Sequence, residues 1–236
     1  MTEDLAARAR SFGAIAEDYE RWRPGMDPAV ADWFVPERVG RVVDVGAGTG
    51  KLSRLLVGRA ADVVCVEPDE RMRAVLARQV PEATVRDGAG EHIPLEDASA
   101  DAVLVSSAWH WMDHAATTAE VARVLRPGGT LGVVWSGIDW TDEWFQQVRA
   151  RVEADAAAAP SSVMAALVDR AAMDDSTHAL ELPRDAPFSE PEQHSVRWTL
   201  PMTADDLVGM LGTVSGILVL PDDRRRAVIS EVRDAL

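Results

Sequence analysis

A short glycine-rich turn limits the fold of this chain more than any other stretch. The turn is Asp44-Val45-Gly46-Ala47-Gly48-Thr49-Gly50, and it directly follows the apolar pair Val42-Val43. Glycine at alternate positions lets the backbone turn tightly and approach a ligand with no side chain in between. Leucines then recur at helical spacing from Lys51 to Leu56. A buried strand, a glycine turn and a helix in this order predict a nucleotide site.

The spacing of the turn excludes two common phosphate-binding patterns. A dinucleotide fingerprint requires a third glycine three residues after the second, and Lys51 occupies that position. A phosphate loop ending in Gly-Lys-Ser/Thr requires a glycine and a hydroxyl where this chain has Val45 and Leu52. Asp44 would also repel a diphosphate. The turn therefore favours a ligand that carries positive charge.

A second acid follows at the end of the next apolar run. Val63-Val64-Cys65-Val66 predicts a buried strand that ends at Glu67-Pro68, and Glu67 lies 21 residues after Gly46 (67 − 46). In sheets of this kind, an acid about 20 residues after the glycines accepts hydrogen bonds from the ribose. A carboxylate offers two acceptor oxygens to two neighbouring hydroxyls. Glu67 is therefore the predicted ribose ligand.

Composition narrows the class of protein. The 236 residues suffice for one packed domain, and a net charge of −15 argues against binding nucleic acid through a basic surface. Cys65 is the only cysteine, so no disulfide forms within the chain, and we expect a buried thiol in a reducing compartment. From the residue pattern we expect neither a secretory leader nor a bilayer-spanning apolar run. We expect a cytoplasmic monomer or homodimer that binds no membrane.

Further apolar runs predict the fold class, which is α/β with a doubly wound, mostly parallel sheet of six or seven strands. The additional strands are expected at residues 83–86, 101–106, 130–135 and 193–200. We predict a single domain, 1–236, in four parts. These are N-terminal lid helices at 1–38, a cofactor-binding core at 39–136, a helical insertion covering the substrate at 137–190, and a C-terminal strand with helices at 191–236.

Several motifs together resemble a known family. They are Asp44 to Gly50, Glu67, Gly88 to Pro94, Ser106 to Trp111, and the helix stop Arg126-Pro127-Gly128-Gly129. In their order and spacing the chain is similar to the Rossmann-like (class I) S-adenosylmethionine-dependent methyltransferases. Within these it resembles the small-molecule type, related to trans-aconitate and ubiquinone/menaquinone biosynthesis methyltransferases. The resemblance implies S-adenosylmethionine as cofactor, S-adenosylhomocysteine as product and no metal.

The resemblance also assigns cofactor-binding residues. The glycine turn would hold the amino-acid end of the cofactor, and Met72 would cover one face of the adenine, although Met72 also fits an apolar core position. The implied residues are Tyr19, Asp44, Gly46, Ala47, Gly48, Gly50, Glu67, Pro68, Met72, Ala89, Gly90, Glu91 and Ser106.

One segment departs from the family pattern. Ala89 and Gly90 stand where the family usually has an Asp-Ala pair, whose Asp often receives the adenine amino group. Backbone atoms of these two residues, or the side chains of Glu91 or Asp87, are the alternatives. The location of the adenine is therefore predicted, but the individual ligand stays open.

The N-terminal stretch Phe12 to Pro24 is similar to the opening of the trans-aconitate group. There the Tyr and Arg, here Tyr19 and Arg23, tend to sit near the amino-acid end of the cofactor. The alternative is that Phe12, Tyr19 and Trp22 simply anchor a helix to the core.

Acceptor chemistry depends on the segment after the fourth strand. If the acceptor is a hydroxyl or an amine, His110 is the candidate general base, and otherwise it is a fixed polar residue of the loop. For a carboxylate acceptor, Arg23 could orient the acid without a base. Five tryptophans predict an aromatic pocket for an apolar or aromatic acceptor. They are Trp109, Trp111, Trp135, Trp140 and Trp144.

The sequence predicts a methyltransferase that acts on a small molecule by in-line displacement at an oxygen, nitrogen or carboxylate. Two rival interpretations remain. One is a noncatalytic protein of the same fold that binds the cofactor, and the other is a nucleotide-using reductase, which Lys51 disfavours.

Overall fold

A parallel sheet of five strands forms the centre of the computed structural model, which describes residues 12–137, 139, 141, 143, 146, 180, 182–218 and 220–235. The strands are β1 (Val39–Val45), β2 (Ala60–Val66), β3 (Thr84–Arg86), β4 (Ala100–Ser106) and β5 (Leu125–Val134). Their order is β3-β2-β1-β4-β5, and all pairs are parallel. The strand order reverses between β1 and β4, and open sheets bind ligands outside the carboxyl ends at such a point. The predicted α/β class is confirmed.

Helices pack around this sheet. One of them begins after Asp69, the residue that the sequence predicts as its N-cap. The carboxylate of Asp69 accepts hydrogen bonds from the backbone N–H groups of Arg71 (2.9 Å) and Met72 (3.2 Å), as an N-cap does. Short 3-10 turns lie at Phe12–Ile15 and Trp109–Trp111. The α-helices are α1 (Ala16–Trp22), α2 (Pro28–Phe34), α3 (Ser53–Leu56), α4 (Glu70–Gln79), α5 (His114–Val124), α6 (Ala204–Gly212), α7 (Ser215–Leu218) and α8 (Asp222–Ala235). Across the described ranges, none is both long and apolar enough for a membrane span.

Side chains alternate along the strands and build a core on each face of the sheet. Val42 and Leu104 are buried with residues of α2, α3 and α4 on one face. Val43 and Val103 are buried with residues of α5 on the other face. Both faces of the strands are therefore apolar, which leaves their carboxyl ends as the place for polar side chains.

The predicted strand at residues 193–200 is wrong. This segment is irregular and mostly exposed, and it contacts the domain through single side chains. The His194 ring stacks on Trp33 with 4.4 Å between ring centroids, and Val196 packs against the core. Alternation of polar and apolar residues cannot supply a neighbouring strand for the backbone hydrogen bonds. The described sheet therefore has five strands rather than six or seven.

Two boundaries also differ from the prediction. Strand β5 begins at Leu125, so the predicted helix stop at residues 126–129 lies inside the strand, where Gly128 has a φ of +82° and the pairing shifts register. Helix α1 begins at Ala16, although the residue pattern from Leu5 to about Ala16 predicts a helix that ends there. Most of the predicted insertion at 137–190 lies outside the described residues.

Candidate functional site

The glycine turn follows β1 directly and has the backbone that its sequence requires. Gly46, Gly48 and Gly50 have φ values of +69°, +56° and +90°, a region that side chains rarely adopt. The N–H groups of Gly46 and Ala47 both donate to the carbonyl of Val66, at 2.8 and 3.2 Å. These two hydrogen bonds hold the turn against the end of β2.

Glu67 lies at the end of β2 and links the turn to the next helix. Its Oε2 accepts a hydrogen bond from the Gly48 N–H and its Oε1 accepts one from the Asp69 N–H, each at 2.9 Å. Burial raises the pKa of Glu67, and the two N–H groups oppose this rise. Each carboxylate oxygen has further lone pairs, so Glu67 can still accept hydrogen bonds from two hydroxyls.

Asp44 is fully buried at the end of β1. Its Oδ2 accepts a hydrogen bond from the Ser53 hydroxyl at 2.5 Å, whereas its Oδ1 has no partner among the described residues. Burial raises the pKa of Asp44 to about 7, the Ser53 hydrogen bond opposes this, and the charge of Glu67 adds to it. A cation near Asp44 would lower the pKa again.

Ion pairs and a hydrogen bond join helix α1 to the residues that follow the glycine turn. The Glu20 carboxylate pairs with Arg54 at 2.7 Å and with Lys51 at 3.4 Å. The Lys51 ammonium also donates to the backbone carbonyl of Glu20 at 2.8 Å. The side chains of Lys51 and Glu20 are only 12% and 14% exposed, so solvent screens this contact weakly.

Tyr19 lies on α1 near Met72 and Glu67, two other residues that were predicted to bind the cofactor. It packs in an apolar cluster with Met72, which is 4% exposed. Burial raises the pKa of Tyr19, the positive charge of Arg23 opposes this, and the charges of Glu67 and Glu20 add to it. Tyr19 and Met72 therefore share one apolar cluster, and Glu67 is close enough for its charge to act on the Tyr19 hydroxyl.

Arg23 follows α1, and its guanidinium has a buried donor without a partner among the described residues. Its Cζ lies 5.5 Å from the centre of the Tyr19 ring, and its Nη2 donates to the Thr213 carbonyl at 3.1 Å. Its Nε is buried and has no hydrogen-bond partner in the part of the chain described. Arg23 and Asp44 thus each hold a buried polar atom with no partner among the described residues, and the two side chains carry opposite charge when ionised.

The chain turns sharply after β4. Ser107 has a φ of +50°, which is uncommon for a residue with a side chain, and its N–H donates to the Val134 carbonyl at 2.8 Å. The hydroxyl of Ser106 lies 3.8 Å from the sulfur of Met26. This bend directs residues 108–112 back towards the glycine turn.

Met112 fills the space between two glycines of the predicted cofactor site. A Cβ on Gly46 would lie 2.7 Å from the Ala108 Cβ and 3.1 Å from the Met112 Cε. A Cβ on Gly90 would lie 2.6 Å from the Met112 sulfur. Both glycines are therefore required for close packing, and Met112 joins the two segments.

The predicted adenine segment is a tight turn. Ala89 and His92 exchange two backbone hydrogen bonds, at 3.3 and 3.1 Å. Gly90, which lies between these two residues in the sequence, is buried. The Glu91 carboxylate accepts from the Asp113 N–H at 2.7 Å, so it holds the start of α5. The Pro68 carbonyl accepts a hydrogen bond from Arg73 at 2.8 Å.

The predicted aromatic residues divide among different surroundings. Trp109 is 1% exposed and stacks on His114 within the core, with 5.4 Å between centroids. The ring centroid of Trp111 lies 6.1 Å from that of Phe12 and 4.5 Å from that of the exposed His110. Trp135 is partly buried beside the same core as Trp109. Trp140 and Trp144 lie outside the described residues.

Sequence reasoning missed four residues of the site. Glu20, Met112 and Thr213 belong to no motif, and Lys51 served only to exclude a dinucleotide. Each of these residues contacts a segment that is distant in sequence, as Thr213 contacts Arg23. No local pattern could therefore have indicated it.

A cavity of about 570 Å³ lies elsewhere on the molecule and includes no predicted site residue. Its lining residues are Arg41, Arg86, His92, Ile93, Pro94, Leu95, Glu96, Glu120 and Arg123. Arg41 pairs with Asp62 at 2.7 Å, and Arg123 pairs with Glu120 at 2.8 Å. Two of the three arginines that line this cavity are therefore already paired with carboxylates.

Comparisons with known proteins find relatives that are methyltransferases. Residues 43–133, which include the glycine turn, Glu67 and β4, match the family model of the methyltransferase domain. An uncharacterized methyltransferase of Mycobacterium tuberculosis is 38% identical over 236 residues, which cover 100% of this chain and 89% of the relative. A dimethylglycine N-methyltransferase of Parasynechococcus marenigrum is 42% identical over 101 residues, 38% of this chain and 35% of that protein. The solved structure of a protein assigned as a type II methyltransferase from Anaeromyxobacter dehalogenans is 26% identical, with a TM-score of 0.57 and coverage of 91% and 88% of the two chains.

The raised pKa of Asp44 predicts a pH dependence of stability. In the folded chain Asp44 keeps its proton up to about pH 7, whereas in the unfolded chain it ionises near the usual 3.8. Between these values the unfolded state binds fewer protons, so the free energy of unfolding falls as the pH rises. For this one group the slope is at most about 1.4 kcal/mol per pH unit.

Urea unfolding of the wild type and of Asp44→Asn across this window isolates the effect, because asparagine can still accept the Ser53 hydrogen bond. The stability of the wild type relative to the variant should fall from about pH 4 to about pH 7 and then level off. Parallel curves for the two proteins would contradict the assignment.

Proposed function

Because this chain belongs to the Rossmann-like, S-adenosylmethionine-dependent methyltransferases, we propose that it transfers a methyl group from S-adenosylmethionine to a small, apolar or aromatic acceptor. The observation that carries the proposal is a pair of buried polar atoms without partners among the described residues. They are the Oδ1 of Asp44 and the Nε of Arg23.

The chemistry of this pair fits the amino-acid end of the cofactor. That end carries an ammonium and a carboxylate, and a neighbouring sulfonium adds a second positive charge. Asp44 suits the cationic groups, and its raised pKa would fall when they bind. The Nε of Arg23 suits the carboxylate, since hydrogen bonds between charged groups are the strong ones.

The remainder of the cofactor fits the neighbouring residues. We assign the ribose hydroxyls to Glu67 and the close backbone approach to Gly46 and Gly48. Tyr19 and Met72 form an apolar cluster next to Glu67, which suits the flat adenine ring. The Ala89 and Gly90 segment is the place for the adenine edge, where backbone groups replace the usual Asp.

When bound, the cofactor supplies an activated methyl carbon, and the acceptor lone pair forms the new bond as the carbon–sulfur bond breaks with its electrons passing to sulfur. The contribution of the chain is to orient the two reactants and exclude water. The segment at residues 108–112 packs against the glycine turn, so it is the proposed wall of the acceptor site. Trp111 lies within this segment and gives the wall an aromatic member.

His110 is the proposed general base for a hydroxyl or amine acceptor. It lies on the exposed side of this segment, next to Trp111. A base there would take the proton that the acceptor loses as its new bond to carbon forms. A carboxylate acceptor would need no such step.

The cofactor assignment predicts the effect of Glu67→Gln. The amide replaces one acceptor oxygen by a donor, so the variant loses a charged hydrogen bond to the ribose. We expect affinity for S-adenosylhomocysteine to fall by about tenfold to a hundredfold in calorimetric titration. The matched control is Glu17→Gln, whose carboxylate is 75% exposed and pairs with Arg78 on the surface.

In the same titrations, wild type should bind S-adenosylmethionine and S-adenosylhomocysteine but not NAD. Equal affinity of wild type and Glu67→Gln would remove the ribose assignment. Saturable binding of NAD alone would instead favour a reductase.

The acceptor assignment predicts the effect of His110→Ala. Small hydroxyl, amine and carboxylate compounds are first screened for uptake of labelled methyl from S-adenosylmethionine, and amines belong in this screen because a partial relative acts on dimethylglycine. On a hydroxyl or amine acceptor, the variant should lose about a hundredfold or more in kcat while binding S-adenosylhomocysteine normally. An unchanged kcat would exclude His110 as a base.

A further inference from the structure

Helix α6 lies far from the glycine turn in sequence, yet it contacts the two residues that end α1 and follow it. The Trp22 indole packs against the backbone at Gly209, where a Cβ would lie only 2.3 to 2.7 Å from three atoms of the ring. Glycine within a helix costs about 1 kcal/mol relative to alanine. This close approach gives Gly209 a packing role that explains its place in the helix.

Thr213 caps the end of α6 and contacts Arg23. Its carbonyl accepts a hydrogen bond from the Arg23 Nη2 at 3.1 Å, across 190 residues of sequence. Thr213 is only 2% exposed, and its hydroxyl and N–H both donate to the Met210 carbonyl, at 2.7 and 3.0 Å. The carbonyl that receives Arg23 is therefore fixed, and the negative end of the helix dipole favours the guanidinium there.

These contacts leave the Nε donor of Arg23 available to a ligand. The Arg23 N–H donates to the Tyr19 carbonyl at 3.0 Å and so fixes the backbone, while Thr213 engages Nη2. The buried Nε has no partner within the described residues. The guanidinium is thus held in place, with a donor oriented before any ligand arrives, which lowers the entropy cost of binding.

Helix α6 is itself anchored at its start. Thr203 and Asp206 form a capping box, in which each side chain accepts from the backbone N–H of the other residue. Asp205 pairs with Arg233 of α8 at 3.2 Å. The support for Arg23 is therefore a folded element and extends well beyond residues 43–133, which match the family model.

We infer that Gly209 and Thr213 of the C-terminal helices are positioning residues for the cofactor: through Trp22 and Arg23 they present the Arg23 guanidinium to the cofactor carboxylate. The inference rests on the proposed function. It assigns a role in cofactor binding to the segment 204–213, in addition to the roles proposed for the glycine turn, Asp44 and Glu67.

The test compares two ligands, one with and one without the carboxylate that Arg23 is proposed to bind. S-adenosylhomocysteine carries the amino-acid carboxylate, whereas 5′-methylthioadenosine has the same nucleoside without it. Gly209→Ala displaces Trp22, and Gly212→Ala is its control in the same helix, because a Cβ there meets only Ile229 at 3.8 Å. Affinities are measured by calorimetric titration of the full chain.

We expect Gly209→Ala to bind S-adenosylhomocysteine about tenfold more weakly than wild type, and 5′-methylthioadenosine equally well. Gly212→Ala should match wild type for both ligands. In an Arg23→Ala background, Gly209→Ala should cause no further loss, because both changes remove the same contact. If Gly209→Ala does not fold, Trp22→Leu removes the same packing without a clash and should give the same pattern.

Equal weakening of both ligands would overturn the inference, since it would mean general damage to the site. Unchanged affinity of Gly209→Ala for S-adenosylhomocysteine would also overturn it. Failure of the wild type to bind either ligand would overturn the proposed function, and the inference with it.

Discussion

The site depends on one buried carboxylate that joins two strand ends. Glu67 at the end of β2 accepts hydrogen bonds from the N–H of Gly48 in the turn after β1 and from that of Asp69 at the start of α4, each at 2.9 Å. This carboxylate therefore fixes the turn and the helix relative to each other. Because Glu67 is 7% exposed, breaking these bonds would leave a charge without compensation, which is costly.

Contacts between distant segments connect the glycine turn and helix α1 to both halves of the chain. Glu20 of α1 pairs with Lys51 and Arg54 just after the turn, and Met112 packs between the turn and Gly90. The C-terminal Thr213 holds Arg23. The parallel sheet provides the strand ends and Asp44 of β1, while the other charged groups come from loops and short helices that the sheet positions. This division explains how one fold can serve many different acceptors.

The sequence predicted those parts of the molecule that depend on local patterns. The glycine turn, the acid at Glu67 and the Asp69 cap followed from spacing and residue type. The strand expected at residues 193–200 was wrong because alternation alone cannot supply a pairing partner. The contact between Arg23 and Thr213 spans 190 residues, and the position of Met112 depends on two separate glycines, so neither could be read from a local pattern.

The most direct test of the account is a crystal structure of the protein with S-adenosylhomocysteine. The account predicts that the Glu67 oxygens lie within about 2.6 to 3.2 Å of both ribose hydroxyls, with the amino-acid end between Asp44 and Arg23. A ligand bound away from the carboxyl ends of β1 and β2 would contradict it. A ribose with no hydrogen bond to Glu67 would contradict it as well.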